Sequence, residues 1–394
     1  MSEYVKQESV LSDNNISTKL IHGGISKDEY TGAVNVPIYQ TSTYAQEIPG
    51  MHKGYEYSRS GNPTRNALEE LIADLENGRY GFAFASGLAA ISTVLSIFKQ
   101  GDEIIISNDV YGGTFRILDK VFNRFGITYK QVNTSNIDKI EEAIGAGTKA
   151  IYIETPTNPL LGITDLEAVA KLAHKHGILS IVDNTFYTPY IQRPLDFGID
   201  IVVHSATKYL GGHSDLIAGL AVVNDDKLAE QIGFLQNAIG GILQPFDSFL
   251  LIRGIKTLGV RLDRHVGNAE TIANHLTQSP EVSRVYYPGL KSHPGYEINK
   301  AQASSGGAII SFELTEGHDL NTFFRSLKVI TVAESLGGVE SLIEHPASMT
   351  HASIPKEIRE QAGLTDNLIR FSVGIEDVDD LISDIESALE ASKR

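Results

Sequence analysis

Residues 199–215 read IDIVVHSATKYLGGHSD, and this stretch decides the fold. An apolar run gives way to His204 and Ser205, and then to Thr207, Lys208 and paired glycines. A strand of this kind is typical of a buried sheet whose carboxyl end carries the functional groups. A lysine at that end is partly desolvated and flanked by hydroxyls, which favours Schiff-base chemistry. A lysine on a turn is more commonly a surface residue. The residues near Lys208 in the predicted fold must therefore show whether it belongs to a functional site.

Short β-prone runs alternate with helix-length segments on the amino-terminal side of this stretch. The strand-like runs are GFAFA, DEIIIS, AIYIE and LSIVD, and segments such as GLAAISTVLSIFK and DLEAVAKLAHKH separate them. This alternation predicts an α/β fold with a mainly parallel sheet and helices on its faces. Catalytic loops are therefore expected at the carboxyl ends of the strands.

The chain has 394 residues, which is enough for one large domain and a smaller one. Residues 1–60 contain many turn formers and aromatics, and they predict an extended N-terminal arm. We assign residues 61–250 to the domain with the mainly parallel sheet. Residues 251–394 begin with a long helical stretch followed by further strands, which predicts a smaller C-terminal α+β domain.

Composition excludes several classes of function. Asp and Glu outnumber Lys and Arg by 49 to 33, and the resulting charge of −16 repels nucleic acid. No signal peptide is visible and no apolar run approaches the ~18 residues that cross a bilayer, so a cytoplasmic protein without a membrane partner is expected. The absence of cysteine excludes disulfides, a cysteine nucleophile and thiolate metal sites.

Two neighbouring strand ends suggest what Lys208 could bind. Asp183 ends the run LSIVD, and a carboxylate beside a pyridine nitrogen keeps that nitrogen protonated and makes the ring a better electron sink. The run AFASGLAAIS turns from strand to helix at Ser86 and Gly87. The free N–H groups and the positive dipole end of such a turn suit a phosphate.

Two further side chains complete a cofactor site. Tyr111 follows DEIIIS and could stack on a planar ring, while Asn158 follows AIYIE and could hydrogen-bond a ring hydroxyl. Each feature is weak alone, because strand ends commonly carry capping and packing residues. Together the Schiff-base lysine, the carboxylate, the phosphate turn, the aromatic and the amide make a complete site for pyridoxal 5'-phosphate (PLP).

At these residues the sequence resembles the cystathionine lyase and synthase family of PLP enzymes, which have the aspartate aminotransferase-like fold (fold type I). The resemblance covers nearly the whole chain. It is carried by seven long strings: YSRSGNPT (57–64), VYGGT (110–114), ETPTNP (154–159), VDNTF (182–186), HSATKYLGGHSD (204–215), ESLGGVESL (334–342) and FSVGIED (371–377).

The resemblance implies a role for each matching residue. Lys208 would carry PLP and, with Tyr111, be catalytic, while Asp183 would pair with the ring nitrogen and Tyr111 would stack on the ring. The cofactor-binding set implied within one subunit is Gly87, Leu88, Tyr111, Asn158, Asp183, Ser205, Thr207 and Lys208. Tyr57 and Arg59 would reach the phosphate of a neighbouring subunit, so the resemblance also implies a homotetramer.

The substrate contacts are likewise implied by the resemblance. Arg370 in LIRFSVG would grip the substrate α-carboxylate, a task suited to a planar bidentate donor. Ser335 would orient the lysine, and Glu334 occupies a position associated with reaction choice. Arg116 would meet the distal carboxylate of cystathionine, and Asn158 would line the same pocket.

The strings VYGGTFR and ETPTNPLLGITD, together with Glu334, look closest to bacterial cystathionine γ-lyases. Cystathionine γ-synthase, a related O-acyl-homoserine sulfhydrylase and cystathionine β-lyase remain alternatives, because these enzymes share their early steps. Methionine γ-lyase is disfavoured, since Gly113 stands where that group usually carries a cysteine.

Two hypotheses of another class find less support. A PLP-binding scaffold without chemistry would be expected to lack Lys208, Asp183 or Arg370, and all three are present. A metal hydrolase would need histidines at ligand spacing, but pairs such as His204 and His213 form no HExxH or comparable set. No metal is therefore expected.

Overall fold

The structure is a computed structural model, which describes residues 14–24, 28, 30–350, 352, 356–361 and 363–394. Parts of the predicted arm, residues 1–13, 25–27 and 29, lie outside the described residues. Among the described helices, none is long and apolar enough to span a membrane.

A seven-stranded sheet forms the larger half of the molecule, with strand order β1-β7-β6-β5-β4-β2-β3. Its strands are β1 (Tyr80–Phe84), β2 (Glu103–Ser107), β3 (Thr128–Val132), β4 (Thr148–Glu154), β5 (Leu179–Asp183), β6 (Ile201–Ser205) and β7 (Gly219–Val223). Strands β3, β2, β4, β5 and β6 run parallel, while β7 pairs antiparallel with both β6 and β1. The mainly parallel sheet predicted from the sequence is confirmed.

Helices connect and cover these strands. They are α1 (Ile16–His22), α2 (Pro63–Leu75), α3 (Gly87–Leu95), α4 (Gly112–Lys120), α5 (Ile137–Ala143), α6 (Leu166–His176), α7 (Thr188–Ile191) and α8 (Asp226–Ile239). Two 3₁₀ turns span Phe122–Phe125 and Pro194–Phe197. Helix α2 begins where the Asn62 side chain accepts from the N–H groups of Thr64 and Arg65, with Pro63 at the first helical position.

A five-stranded sheet forms the smaller half, in the order β10-β11-β12-β9-β8. Its strands are β8 (Val282–Tyr286), β9 (Ile309–Leu314), β10 (Thr331–Val332), β11 (Leu342–Glu344) and β12 (Leu368–Ser372). The accompanying helices are α9 (Pro245–Ile255), α10 (Leu258–Leu276), α11 (Tyr296–Gln302), α12 (Leu320–Ser326), α13 (Lys356–Gln361) and α14 (Val378–Ala391). The predicted boundary near residue 250 falls inside α9.

The strands β2, β4, β5, β6 and β7 of the large sheet are mostly buried, which explains why they are largely apolar, whereas the edge strand β3 is more exposed and polar. One face packs on the core cluster that includes Val182 and Val202, and the other on the cluster that includes Ile181 and Ile201. An extended arm is expected for residues 1–60, but the segment Ile16–His22 within it is not extended. That segment is helical because Leu20, which is 2% exposed, packs into the first cluster.

Candidate active site

The carboxyl ends of β4, β5 and β6 lie side by side at one edge of the large sheet. Glu154 is in register with Asp183, and Asp183 with Val203, so the residues after these strands converge. This is the edge at which open α/β sheets bind ligands. The strand-end residues singled out in the sequence, Asp183 and Lys208, therefore meet here.

Lys208 lies in the turn after β6 and reaches the smaller sheet domain. Its Nζ donates a hydrogen bond to Ser335 Oγ at 2.7 Å. Burial and, to a smaller extent, the charge of Arg370 lower the pKa of Lys208 to about 8, and the carboxylates of Glu344 and Glu334 oppose that shift. A lysine with such a pKa holds a substantial neutral fraction near neutral pH, which is the nucleophilic and basic form.

The loop that carries Ser335 is packed tightly against Lys208. A Cβ on Gly337 would lie 2.6 Å from the backbone nitrogen of Tyr209, so only glycine allows this approach. Ser335 itself has a φ of 90°, a conformation that costs a non-glycine residue free energy and that clusters at functional sites. The two halves of the chain are thus joined at the lysine.

Asp183 is buried among donors. It accepts from the Thr185 N–H at 3.0 Å, the Thr185 hydroxyl at 2.5 Å and the Tyr152 hydroxyl at 3.3 Å. Burial raises the pKa of Asp183, while these hydrogen bonds and the charge of His204 lower it. The donors stabilise the carboxylate form, which is the form that can hold a protonated pyridine nitrogen.

The N-terminus of α3 forms the expected cradle for a phosphate. Ser86 caps the helix by accepting from the N–H of Ala89, which leaves the N–H groups of Gly87 and Leu88 at helix positions that have no intrahelical acceptor. A Cβ on Gly87 would lie 2.9 Å from the Cβ of Ser205 and 3.1 Å from its Oγ. The Ser205 hydroxyl therefore closes one side of the cradle.

Thr207, the other predicted phosphate ligand, lies in the same turn. Its hydroxyl donates to the carbonyl of Ala218 at 3.3 Å and the N–H of Ala218 donates back at 3.1 Å. These contacts tie the Lys208 turn to the residue that precedes β7. The hydroxyl keeps a lone pair for a further contact, as a serine or threonine oxygen accepts twice.

Tyr111 precedes α4 and is 41% exposed. Its backbone N–H donates to Glu154 Oε2 at 2.8 Å. Burial raises the pKa of Tyr111, the Arg116 guanidinium opposes the shift, and the charges of Glu154, Asp183 and Glu334 add to it. The predicted residues Arg116 and Glu334 thus lie within electrostatic reach of the ring.

Gly113 allows the position of the Tyr111 ring. A Cβ at residue 113 would lie 2.4 Å from Cε1 of that ring, a distance that real Cβ atoms do not reach. A cysteine at this position would therefore displace the tyrosine, so the glycine belongs to the architecture of this site.

Arg370 lies on β12 and is held by acceptors from three segments. Nη1 donates to Asn158 Oδ1 at 2.9 Å, Nη2 donates to the Ser335 carbonyl at 2.7 Å, and Nη2 lies 3.0 Å from Glu344 Oε2. Burial lowers the pKa of Arg370, and the Glu344 carboxylate opposes that shift. The Nε atom is buried and has no hydrogen-bond partner among the described residues, so it remains for a ligand carboxylate.

Tyr57 and Arg59 lie next to each other, and Arg59 reaches the end of α8. Arg59 Nη1 donates to the carbonyl and the side-chain oxygen of Asn237 at 2.7 and 3.0 Å, at the end of α8. Within the described part of the chain, no hydrogen bond or ion pair joins either residue to Lys208. Their predicted role in a neighbouring subunit stays a prediction.

Two carboxyl groups of the site carried no assignment from the sequence. Glu154 stands in the string ETPTNP at the end of a strand, a position that could have marked it. Glu344 gives no such signal, because its contact with Arg370 arises from the antiparallel register between β11 and β12, in which these two residues are directly paired.

The residues present fit PLP. The edge offers a partly neutral amine in Lys208, a carboxyl group held by hydrogen-bond donors in Asp183, an exposed aromatic face in Tyr111 and free N–H groups at the start of α3. These match the aldehyde, the pyridine nitrogen, the ring face and the phosphate of that cofactor. Among the described residues there is no group of three or more side chains that could hold a metal ion.

Comparison with known proteins agrees with this geometry. The family model described as "Cys/Met metabolism PLP-dependent enzyme" matches residues 17–390. A protein of Lactococcus lactis subsp. cremoris named cystathionine beta-lyase is 60% identical over 375 residues, which are 95% of this chain and 99% of that protein. A Bacillus subtilis protein named cystathionine gamma-lyase is 57% identical over 373 residues, covering 95% of this chain and 98% of that one.

The structural comparison gives the same result. A crystal structure described as cystathionine gamma-lyase from Lactobacillus plantarum complexed with L-serine has a TM-score of 0.94 and 56% sequence identity. The match covers 96% of this chain and 99% of that chain. The PLP-dependent, aspartate aminotransferase-like fold expected from the sequence is confirmed.

Proposed function

The chain belongs to the Cys/Met metabolism PLP-dependent enzyme family, and on that premise we propose that it is a cystathionine γ-lyase. The proposed reaction converts L-cystathionine and water into L-cysteine, 2-oxobutyrate and ammonia. At the coarser level the chain is a PLP-dependent lyase of Cys/Met metabolism, and its relatives include proteins named cystathionine beta-lyase and cystathionine gamma-lyase.

Arg370 is proposed to bind the substrate α-carboxylate. Its guanidinium is fixed in one plane by Asn158, Ser335 and Glu344, so little orientational freedom is lost when the substrate binds. The buried and unpartnered Nε atom supplies a donor. A carboxylate bound there would hold the substrate near Lys208, whose pKa the charge of Arg370 lowers.

Lys208 is proposed to move the protons. Bound PLP supplies an electron sink that makes the α-proton acidic. The amine of Lys208, once free, removes this proton, and the Ser335 hydroxyl 2.7 Å away orients the amine. The lowered pKa of about 8 suits a group that must alternate between base and acid near neutral pH.

The observation that carries the γ-lyase proposal is the charge of Glu334, which acts on both Lys208 and Tyr111. Cleavage of the γ-carbon to sulfur bond requires removal of an α-proton and then a β-proton, whereas β-cleavage requires the α-proton alone. We propose that the Glu334 carboxylate accepts the lysine proton between the two transfers. The second proton removal that such a relay would serve belongs to γ-cleavage and is not a step of β-cleavage.

Cystathionine β-lyase is the second candidate. Three proteins of Lactococcus lactis with this name are 59 to 60% identical to the chain. In β-cleavage the same Arg370 and Lys208 would act, and the products would be L-homocysteine, pyruvate and ammonia. The relatives' names favour this activity, and the acid–base groups around Lys208 favour γ-cleavage.

A product assay tests the proposal. Purified holoenzyme is given L-cystathionine alone, and then an activated homoserine ester with L-cysteine. L-Cysteine and 2-oxobutyrate from the first mixture are expected. Pyruvate and homocysteine would identify a β-lyase, and net cystathionine synthesis with little cleavage would identify a γ-synthase.

A Glu334→Gln variant tests the relay separately. We expect it to lower the yield of 2-oxobutyrate relative to pyruvate, because only the γ-reaction needs the second proton transfer. Glu316→Gln, a change outside the residues of the site, is the matched control. An unchanged product ratio in Glu334→Gln would contradict the relay.

We further propose that the enzyme acts in the cytoplasm as a homotetramer, in which Tyr57 and Arg59 complete the site of a neighbouring subunit. Tyr57 is exposed, and the Arg59 guanidinium lies 5.6 Å from the centre of its ring. An Arg59→Ala subunit mixed with a Lys208→Ala subunit should recover activity in hybrids, because one site then has both groups. Lack of recovery in verified hybrids would oppose this arrangement.

A further inference from the structure

Glu154 and Asp183 form a pair of neighbouring buried carboxyl groups. They end adjacent parallel strands, β4 and β5, in direct register, and they are 6% and 7% exposed. Two carboxylates placed side by side with so little water cannot both ionise without a large loss of free energy. This arrangement favours one charged and one protonated group in the pair.

The hydrogen bonds around the pair are unequal. Asp183 accepts from the N–H and hydroxyl of Thr185 and from the hydroxyl of Tyr152. Glu154 accepts from the backbone N–H of Tyr111 at 2.8 Å. Since donors stabilise a carboxylate, the geometry gives the charge to Asp183 and the proton to Glu154.

We propose that Glu154 is a positioning residue that acts as a neutral carboxylic acid, fixing Tyr111 against the cofactor ring while leaving Asp183 as the carboxylate at the ring nitrogen. The inference rests on the proposed placement of the ring between Tyr111 and Asp183. It does not depend on which carbon–sulfur bond is cleaved.

The surrounding charges agree with this division. Burial raises the pKa of Glu154 well above its usual range, the charge of Asp183 raises it further and Asp109 adds to the shift, while the N–H of Tyr111 and the charge of Arg370 oppose it. Asp109 is itself a partly buried carboxyl whose pKa is raised by desolvation. The neighbouring carboxyls therefore favour a protonated Glu154.

A neutral acid at this position has a chemical use. An ionised Glu154 would put a second negative charge beside Asp183, and this charge would compete for the positive charge of a bound pyridine nitrogen. A protonated Glu154 accepts from the Tyr111 N–H without that competition. Glutamine has the same shape and the same neutral carbonyl acceptor, so it should replace the acid in this role.

The test compares two variants as holoenzymes. Glu154→Gln should retain PLP with an affinity within about threefold of the wild type, since the acceptor for Tyr111 is kept. Glu154→Leu should weaken PLP binding by at least about tenfold and change the visible circular dichroism of the cofactor, because the Tyr111 N–H loses its acceptor and Tyr111 shifts. Equilibrium dialysis and visible circular dichroism measure these effects.

Two controls separate the possible failures. Glu103→Leu removes a carboxyl at the opposite end of β2, where Glu103 pairs with Lys130 at 3.0 Å, and it should leave the visible spectrum unchanged. Asp183→Asn removes the charge that the ring nitrogen needs and should reduce PLP binding by at least about tenfold. If Asp183→Asn behaved as the wild type, the proposed placement of the ring would fail.

Other results would contradict the proposed role of Glu154. If Glu154→Gln lost PLP affinity or changed the visible spectrum as Asp183→Asn does, Glu154 would act as a carboxylate. If Glu154→Leu kept both the affinity and the spectrum, Glu154 would have no positioning role. Should the leucine variant not fold, the glutamine variant alone decides between a neutral and an ionised group.

Discussion

Replacing Arg370 by lysine tests the substrate anchor while retaining its charge. Lysine can still neutralise the buried Glu344, so the fold is spared the cost of an unpaired buried carboxylate. The lysine ammonium has no planar fork, and it cannot contact Asn158 and Ser335 at the two positions that now fix the guanidinium. The variant therefore keeps the ion pair and loses the orientation.

The expected size of the effect follows from the hydrogen bonds that the substitution removes. A hydrogen bond to a charged group contributes about 1.5–3 kcal/mol. Loss of a bidentate contact with the substrate carboxylate, together with some misplacement of the substrate, should cost about 2–4 kcal/mol of transition-state stabilisation, which is about 30- to 1000-fold in kcat/KM. Most of this should appear in KM, since the carboxylate is bound in both the ground state and the transition state.

Steady-state kinetics on L-cystathionine measure the effect, with thermal unfolding of the holoenzyme to verify the fold. Arg79→Lys, at an exposed ion pair with Asp226, is the matched control and should leave both constants within about twofold. An Arg370→Lys enzyme with an unchanged KM would refute the reasoning, because the guanidinium would then not bind the substrate carboxylate.

Three further predictions concern the cofactor. Because the pKa of Lys208 is lowered to about 8, the fraction of neutral amine increases as the pH rises through 8. The rate at which cofactor-free protein takes up PLP should therefore rise with pH and level off above 8. A midpoint of this pH profile near 10.5 would contradict the lowered pKa. Gly87→Ala places a Cβ 2.9 Å from Ser205 and should weaken PLP binding by at least about tenfold, whereas Gly267→Ala, which meets nothing within 4 Å, should have no such effect. Ser335→Ala removes the hydrogen bond to Lys208 and should lower kcat by about tenfold with a smaller change in KM. Stopped-flow and steady-state kinetics measure this effect. An unchanged kcat would contradict the proposal that Ser335 orients Lys208.

The sequence predicts the parts of the site that follow from strand direction. Parallel strands end at one edge, so Asp183, Lys208 and the turn at Gly87 could be placed together from the alternation of strands and helices alone. The helix that begins at Gly87 follows from its serine cap. These features are local, and each is specified by a few adjacent residues.

Features that depend on distant pairing could not be predicted. The run GLAVV forms β7, which lies between β1 and β6 and pairs antiparallel with both. A run of five apolar residues does not specify this position or direction in the sheet. The ion pair of Glu344 with Arg370 depends on the register of β11 with β12. The helix at Ile16–His22 forms because Leu20 packs into the core. The turn-forming residues around Leu20 do not indicate this packing.

Reduction of the holoenzyme with borohydride, followed by mass spectrometry of its peptides, tests the central claim most directly. The reagent fixes PLP on the amine to which it is joined. We predict one labelled peptide, with the added mass on Lys208, and loss of both the label and the visible absorbance in Lys208→Ala. A label on another lysine, or absorbance that survives in Lys208→Ala, would contradict the account.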